Sequence, residues 1–165
     1  MGYRIITDSA CNLPEYMIDE FGLDILSLTF MVDGEQHRSY VKGQVTDLSQ
    51  FYTMMREGKV ITTSLPNLGD AEAMLRSILD AGDDILYIGF SSGLSGTYEA
   101  ISLLMRSLGE EYPDRTLAAV DTLAASGGEG LLVWYAAKMK EDGASLAEVR
   151  DWLEEHKLHL AHWFT

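Results

Sequence analysis

The chain has 165 residues, of which 47% are hydrophobic and 23% charged, which is the composition of one globular domain with its own core. Its formal net charge is −14, and nucleic acid or an anionic membrane surface needs a basic partner face, so we expect neither as a partner. The single cysteine, Cys11, allows no internal disulfide, and no apolar stretch has the length of a membrane span. We therefore expect a cytoplasmic protein.

Strand-like apolar runs alternate with amphipathic helical patterns along the whole chain. The predicted strands cover residues 4–7, 24–32, 60–63, 84–90, 117–120 and 159–164. The predicted helices begin near Asn12, Thr46, Asn67, Thr97, Ser126 and Ser145, and the polar stretch 35–45 is predicted to be a loop. This alternation predicts an α/β fold, with a mostly parallel β-sheet and helices on both faces in a three-layer sandwich. Since the chain stops inside the last predicted strand, we expect it to be part of a longer protein.

The most informative segment follows the predicted strand 84–90 and leads into a helix. It consists of Ser91-Ser92-Gly93-Leu94-Ser95-Gly96-Thr97. In an open α/β sheet, ligands bind at the carboxyl ends of the strands, where free N–H groups at a helix start favour an anion. The segment has no Lys, Arg or His, so a single carboxylate or phosphate suits it better than a polyphosphate. The chain has no phosphate-binding loop and no dinucleotide fingerprint, and we expect no cofactor.

Small polar residues also follow the other predicted strands. They are Asp8, Ser9, Thr63, Ser64 and Asp121. If the strands are parallel, these residues share one edge of the sheet with the segment 91–97. Each of them alone is better explained as a helix cap. As a set, and above all through Thr63 together with the segment 91–97, they predict a ligand site.

Two other chemistries compete with this interpretation. The run from Gly93 to Thr97 nearly matches the G-x-S-x-G nucleophile elbow, and Asp121 and the histidines at 156, 159 and 162 follow in the chain order of a serine hydrolase. Ser95, however, lies several residues past the strand end, where an elbow needs a sharper turn. On a strand, His159 and His162 point to opposite faces, so we expect no metal site. A serine hydrolase using Ser95 and a ligand-free interaction domain remain as alternatives.

Four segments of the chain together resemble the motifs of one protein family. They are Thr7-Asp8-Ser9-Ala10-Cys11-Asn12-Leu13-Pro14, Thr62-Thr63-Ser64-Leu65-Pro66, Ser91-Ser92-Gly93-Leu94-Ser95-Gly96-Thr97-Tyr98, and Val120-Asp121-Thr122 leading to Ser126-Gly127-Gly128. In this order they resemble the motifs of the DegV family, over essentially the whole chain. Leu65 stands where the family motif often has Gln.

The resemblance implies a fatty-acid-binding carrier rather than an enzyme, with no catalytic residue. In this family a long acyl chain lies in a buried tunnel, and the matching positions for its carboxylate are Thr63, Ser95 and the backbone N–H groups around Gly96. The strand ends add Ser64, Asp8 and Ser9 as secondary candidates for ligand binding.

The resemblance also implies a partner and a second domain. Some members present the bound acid to a separate fatty acid kinase catalytic subunit, which phosphorylates the carboxylate. Family members are about twice as long, so residues 1–165 are expected to form a single α/β domain that resembles the N-terminal domain of a two-domain protein. With the second domain absent, we expect exposed apolar tunnel surface.

Overall fold

The computed structural model describes residues 2–45 and 47–163, with the backbone alone for Leu48. Its strands are β1 (Tyr3–Asp8), β2 (Asp24–Leu26), β3 (Thr29–Val32), β4 (Glu35–Arg38), β5 (Ile61–Ser64), β6 (Asp84–Gly89) and β7 (Leu117–Asp121). Its α-helices are α1 (Glu15–Phe21), α2 (Leu48–Arg56), α3 (Leu68–Asp80), α4 (Thr97–Glu111), α5 (Ser126–Glu141) and α6 (Leu146–His156). Single 3-10 turns follow β1 at Ser9–Cys11 and α6 at Lys157–His159.

Four strands form a parallel sheet in the order β2-β1-β6-β7. Their side chains alternate between two apolar layers, because successive residues of a strand point to opposite faces. Ile5 and Leu86 pack in the layer with α1, α5 and α6, whereas Ile6 and Tyr87 pack in the layer with α3 and α4. The predicted α/β sandwich with helices on both faces of the sheet is therefore confirmed.

A second sheet, antiparallel and in the order β4-β3-β5, is a feature that the sequence analysis does not predict. The prediction of one strand over 24–32 is wrong, because the chain leaves the parallel sheet at Ser27. The Ser27 hydroxyl donates to the carbonyl of Leu28 and accepts from the N–H of Tyr40, both at 3.0 Å. The predicted strand at 60–63 exists as β5, but it pairs with β3 and not with the parallel sheet.

The loop predicted over 35–45 is wrong for its first four residues, which form β4. Asp33 and Gly34 make the turn before it, with φ angles of 50° and 92°, so the chain reverses tightly and β4 pairs with β3. Every residue of β4 is exposed. Its sequence therefore lacks the alternation of apolar and polar residues by which a half-buried strand is predicted.

The final strand predicted over 159–164 is wrong for the residues that the structure describes. Helix α6 continues to His156, the 3-10 turn Lys157–His159 follows it, and residues 160–163 are not in a strand. Leu158 and Trp163 are exposed, so these apolar residues do not join the core. Position 164 lies outside the described residues.

The starts of α1 and α2 are predicted near Asn12 and at Thr46. The start near Asn12 is wrong, because Asn12 has a φ of 50° and α1 begins three residues later at Glu15. The start at Thr46 falls outside the described residues. Within them, α2 begins at Leu48 and is capped by Asp47, whose side chain accepts from the N–H of Gln50.

Helix α5 lies directly against the turn that follows β1, and Gly130 permits this close approach. A Cβ at Gly130 would lie 2.6 Å from the carbonyl oxygen of Cys11, so any side chain there would push the two segments apart. Gly109 in α4 is the opposite case, because nothing lies within 4 Å of a Cβ at that position. Gly130 therefore sets the distance between α5 and the end of β1.

We expect Gly130→Ala to lower the free energy of unfolding by about 1–3 kcal/mol, since the added methyl group overpacks this contact. Gly109→Ala is the matched control and is expected to raise it by about 0.5–1 kcal/mol, because Ala is the better helix former. Denaturant unfolding of both variants measures the two effects. A shift of both midpoints in the same direction would contradict this role of Gly130.

Candidate ligand-binding site

The loop between β6 and α4 is held by hydrogen bonds to two neighbouring strand ends. The N–H of Phe90 donates to Oδ2 of Asp8 at 2.9 Å, and the N–H of Ser92 donates to Oδ1 of Asp121 at 3.2 Å. The same oxygen of Asp121 accepts from the N–H of Leu123 at 3.0 Å. The loop is therefore tied to the end of β1 on one side and to the loop after β7 on the other.

Ser95 lies at the start of α4, where its hydroxyl organises the first turn. Its Oγ accepts from the N–H of Thr97 at 3.2 Å and lies 2.9 Å from Oγ1 of Thr97. Ser95 is partly exposed and Gly96, which caps the helix, is exposed. A helix leaves the N–H groups of its first turn without partners inside the helix, and its dipole is positive at this end. Ser95 and Gly96 therefore lie where neutral donors and a positive helix end face solvent.

The turn after β5 approaches the same helix start from the second sheet. The Cδ2 atom of Leu65 lies 3.9 Å from the position of a Cβ at Gly96. Thr63 is exposed on β5, where it pairs with Phe30 of β3. The structure therefore brings Leu65, in the turn that follows β5, next to the start of α4. The expectation that this turn shares the edge of the parallel sheet is wrong, since β5 belongs to the second sheet.

The hydroxyls of Ser64 and Ser9 make hydrogen bonds within the protein. Oγ of Ser64 lies 2.5 Å from Oγ1 of Thr29. Oγ of Ser9 accepts from the N–H of Leu28 at 2.9 Å and lies 2.5 Å from Oγ of Ser39. The Ser9 bonds tie the end of β1 to the ends of the second sheet. A direct ligand contact by Ser9 or Ser64 stays a prediction.

Asp8 is fully buried at the end of β1. Its carboxylate accepts from the N–H of Ala10 at 3.0 Å, the hydroxyl of Tyr87 at 3.1 Å and the N–H of Phe90 at 2.9 Å. Burial raises the pKa of Asp8 above its usual value, while these hydrogen bonds act in the opposite direction. Asp8 thus holds the loop from inside the fold, and its direct contact with a ligand stays a prediction.

Glu129 is a buried acid that the sequence analysis does not single out. It lies in the first turn of α5, and its Oε1 accepts from the hydroxyl of Thr7 at 3.1 Å. Burial and the charge of Asp8 raise its pKa from 4.5 to about 10. In the sequence, the one signal of its burial is that Glu129 shares a helix face with Leu132, Val133 and Ala136. These residues follow at i+3, i+4 and i+7 and are fully buried.

The hydrogen bonds around Ser95 do not form the relay of a serine hydrolase. In the part of the chain that the structure describes, its hydroxyl is bonded to Thr97 and not to a histidine. Asp121 accepts from backbone N–H groups. His156 stacks on Trp152 with ring centroids 4.3 Å apart, and its Nδ1 lies 2.8 Å from the Trp152 carbonyl oxygen. The geometry thus gives Ser95 a helix-start role.

Across residues 2–45 and 47–163, no three His, Cys, Asp or Glu side chains are grouped closely enough to hold a metal ion. None of the helices described there combines the length and apolar character needed to cross a membrane.

Comparison with known proteins finds relatives along nearly the whole chain. A family model described as "Uncharacterised protein, DegV family" matches residues 3–165. A DegV domain-containing protein of Clostridium perfringens is 40% identical over 163 residues, which cover 99% of this chain and 56% of that protein. One from Lactococcus lactis is 34% identical over 155 residues, which cover 94% of this chain and 53% of that protein. The chain thus spans about half the length of these relatives.

Solved structures share the fold over a similar extent. A DegV family protein from Thermus thermophilus, described by its fatty acid binding, matches with a TM-score of 0.82 and 31% identity, over 96% of this chain and 54% of that one. A stearic acid-binding protein from Eubacterium ventriosum matches with a TM-score of 0.81 and 25% identity, over 92% of this chain and 52% of that one. With a family model matched from residue 3 to residue 165, this chain belongs to the DegV family.

Proposed function

We propose that this chain binds a long-chain fatty acid and that the start of α4 holds its carboxylate. The observation that carries the proposal is the approach of Leu65, two residues after Thr63 in the turn that follows β5, to Gly96 at the start of α4. The family supports it, since the related proteins from Thermus thermophilus and Eubacterium ventriosum are described as binding fatty acids. In this proposal, Thr63, Ser95 and the N–H groups around Gly96 contact the head group.

The chemistry of the helix start suits one carboxylate. Hydrogen bonds from neutral donors to an ionised acceptor are stronger than those between neutral groups, and the end of the helix dipole adds to them. Neither the segment 91–97 nor the segment from Thr62 to Pro66 contains a basic residue. A single negative charge can be held in this way, whereas a polyphosphate would need a lysine or a metal ion.

Exposed leucines around the head-group position offer apolar surface to the tail. Leu65 is 39% exposed, Leu94 is 51% exposed and Leu123 is 47% exposed, although each is on a segment tied into the fold. Each methylene group that leaves water contributes roughly 0.8 kcal/mol, so the tail supplies most of the affinity. The hydroxyls then fix which end of the acid lies at α4.

The proposal extends to a carrier role, in which the chain presents the acid to a separate fatty acid kinase catalytic subunit. The sequence supports this division of labour, because it has no phosphate-binding loop for ATP. We expect the chain with stearic acid and ATP alone to form no acyl phosphate. Adding a fatty acid kinase catalytic subunit should yield acyl phosphate, measured by hydroxylamine trapping. Formation without the added subunit would contradict the carrier role.

Lipid extraction separates the carrier from a ligand-free interaction domain. We expect an organic extract of the purified chain, or of the chain after incubation with stearic acid and gel filtration, to contain up to one fatty acid per protein by mass spectrometry. The length of the recovered acid reports the chain length that the site prefers. If both extracts are empty, the fatty acid proposal fails for these 165 residues and the interaction domain is favoured.

Replacing Ser95 tests the head-group site. Hydrogen bonds to a charged group contribute about 1.5–3 kcal/mol, so Ser95→Ala should weaken stearic acid binding roughly 10- to 100-fold. The loss of its helix-start bond should cost only about 1 kcal/mol of stability. Ser107→Ala, at an exposed position in the second half of α4, is the control and should leave affinity unchanged. Titration calorimetry and denaturant unfolding measure the two effects. Stability loss without loss of affinity would make Ser95 a structural cap.

A further inference from the structure

Two acidic side chains lie fully buried at the carboxyl end of β1. Asp8 and Glu129 are both 0% exposed. Asp8 accepts three hydrogen bonds, from two backbone N–H groups and the hydroxyl of Tyr87, as an ionised carboxylate does. Glu129 accepts one, from Thr7, and its Oε2 has no hydrogen-bond partner among the described residues. A buried oxygen without a partner costs free energy that an added proton would remove if an acceptor lies beside it.

The fold places that acceptor beside Glu129. Gly130 lets α5 approach the turn after β1 closely, which brings the preceding residue, Glu129, over the end of the strand. Thr7, which bonds Glu129, and Asp8 are the last two residues of β1. Each acid acts on the pKa of the other: Glu129 lowers the pKa of Asp8, and Asp8 raises the pKa of Glu129, which is the pattern expected when Glu129 holds the proton.

We propose that Glu129 is a neutral carboxylic acid that donates its proton to Asp8, and that this hydrogen bond makes Glu129 a positioning residue for the Ser95 loop. The pair then carries one negative charge. Asp8 keeps its ionised form and therefore its bond to the N–H of Phe90, where the loop begins. The proton is thus part of the structure that holds the start of α4. The positioning role rests on the proposed function, whereas the protonation of Glu129 does not.

Three of the described residues that face the pair are not basic. They are Cys11 in the turn after β1, Tyr87 on β6 and, stacked on Tyr87 at 6.2 Å, Tyr98 on α4. Burial raises the pKa of Cys11 to about 12 and that of Tyr87 well above its usual value, so both stay neutral. His162 packs against Gly128 in the same turn of α5. Two ionised carboxylates in this place would repel each other at low dielectric, which a shared proton avoids.

The protonation is tested by the pH dependence of unfolding. Because the folded pKa of Glu129 is raised from 4.5 to about 10, the folded state holds one more proton than the unfolded state between those values. Stability from this group is therefore greatest below pH 4.5 and is lost as the pH rises. Because Glu129 loses this proton on unfolding, its contribution should raise the equilibrium constant of unfolding about tenfold per pH unit between pH 6 and 9.

Glu129→Gln should remove this contribution to the slope of the unfolding free energy against pH. The amide keeps a donor for Asp8 and an acceptor for Thr7 but does not titrate. Glu155→Gln, at an exposed position on α6, is the control and should keep the wild-type slope. Subtracting the curves removes the contributions of the groups that both variants retain. Carbon NMR of the unsubstituted chain at pH 7 should show a protonated side-chain carboxyl at Glu129. An ionised Glu129 at pH 7, or an unchanged slope in Glu129→Gln, overturns the proposal.

The positioning role has its own readout in hydrogen exchange and affinity. Glu129→Ala removes the donor, so the N–H of Phe90 should exchange at least tenfold faster and stearic acid should bind more weakly. Glu129→Gln should restore protection at Phe90. Unchanged exchange and affinity in Glu129→Ala would overturn the positioning role. If the chain binds no fatty acid while Glu129 is protonated and protects Phe90, then the proposed function fails and the protonation stands.

Discussion

The buried carboxylate of Asp8 is the interaction on which the arrangement of the site depends. Strand β1 lies between β2 and β6, so its end is surrounded by protein and a charge there must be satisfied by hydrogen bonds. Those bonds come from the turn after β1, from Tyr87 and from the first residue after β6. These hydrogen bonds to Asp8 fix where the loop after β6 leaves the sheet, and they thereby fix the start of α4.

The parallel layer could be predicted from the sequence, because strands buried on both faces are continuous apolar runs, and two of the helices on the sheet, α3 and α6, begin at side-chain caps. The pair Ser145 and Glu148 forms the capping box that its spacing indicates. The second sheet could not be predicted in this way. All residues of its strand β4 are exposed, and the break at Ser27 depends on a bond to Tyr40, thirteen residues along the chain. Local patterns do not contain such distant partners.

The candidate site, too, could be predicted only in part from the sequence. A helix start rich in hydroxyls after β6 could be read from the sequence, and family motifs pointed to Thr63. The approach of Leu65, in the turn after β5, to that helix start could not, since β5 belongs to another sheet. The burial of Glu129 could not be assigned from helical spacing alone, because an acid in the first turn of a helix is ordinarily solvated and stabilises the dipole. Its burial results from the close approach of α5 at Gly130, which is a tertiary event.

The strand order also has a consequence for how the chain folds. Strand β1 pairs with β6, so Tyr3 lies opposite Asp84, and the entire second sheet is made of residues between them. Pairings between such distant segments form slowly, whereas the β3–β4 hairpin closes locally. During synthesis, the β6-facing edge of β1 has no partner until β6 has emerged, with Ile5 and Ile6 apolar on both faces. That interval is when the nascent chain is most exposed to edge-to-edge aggregation.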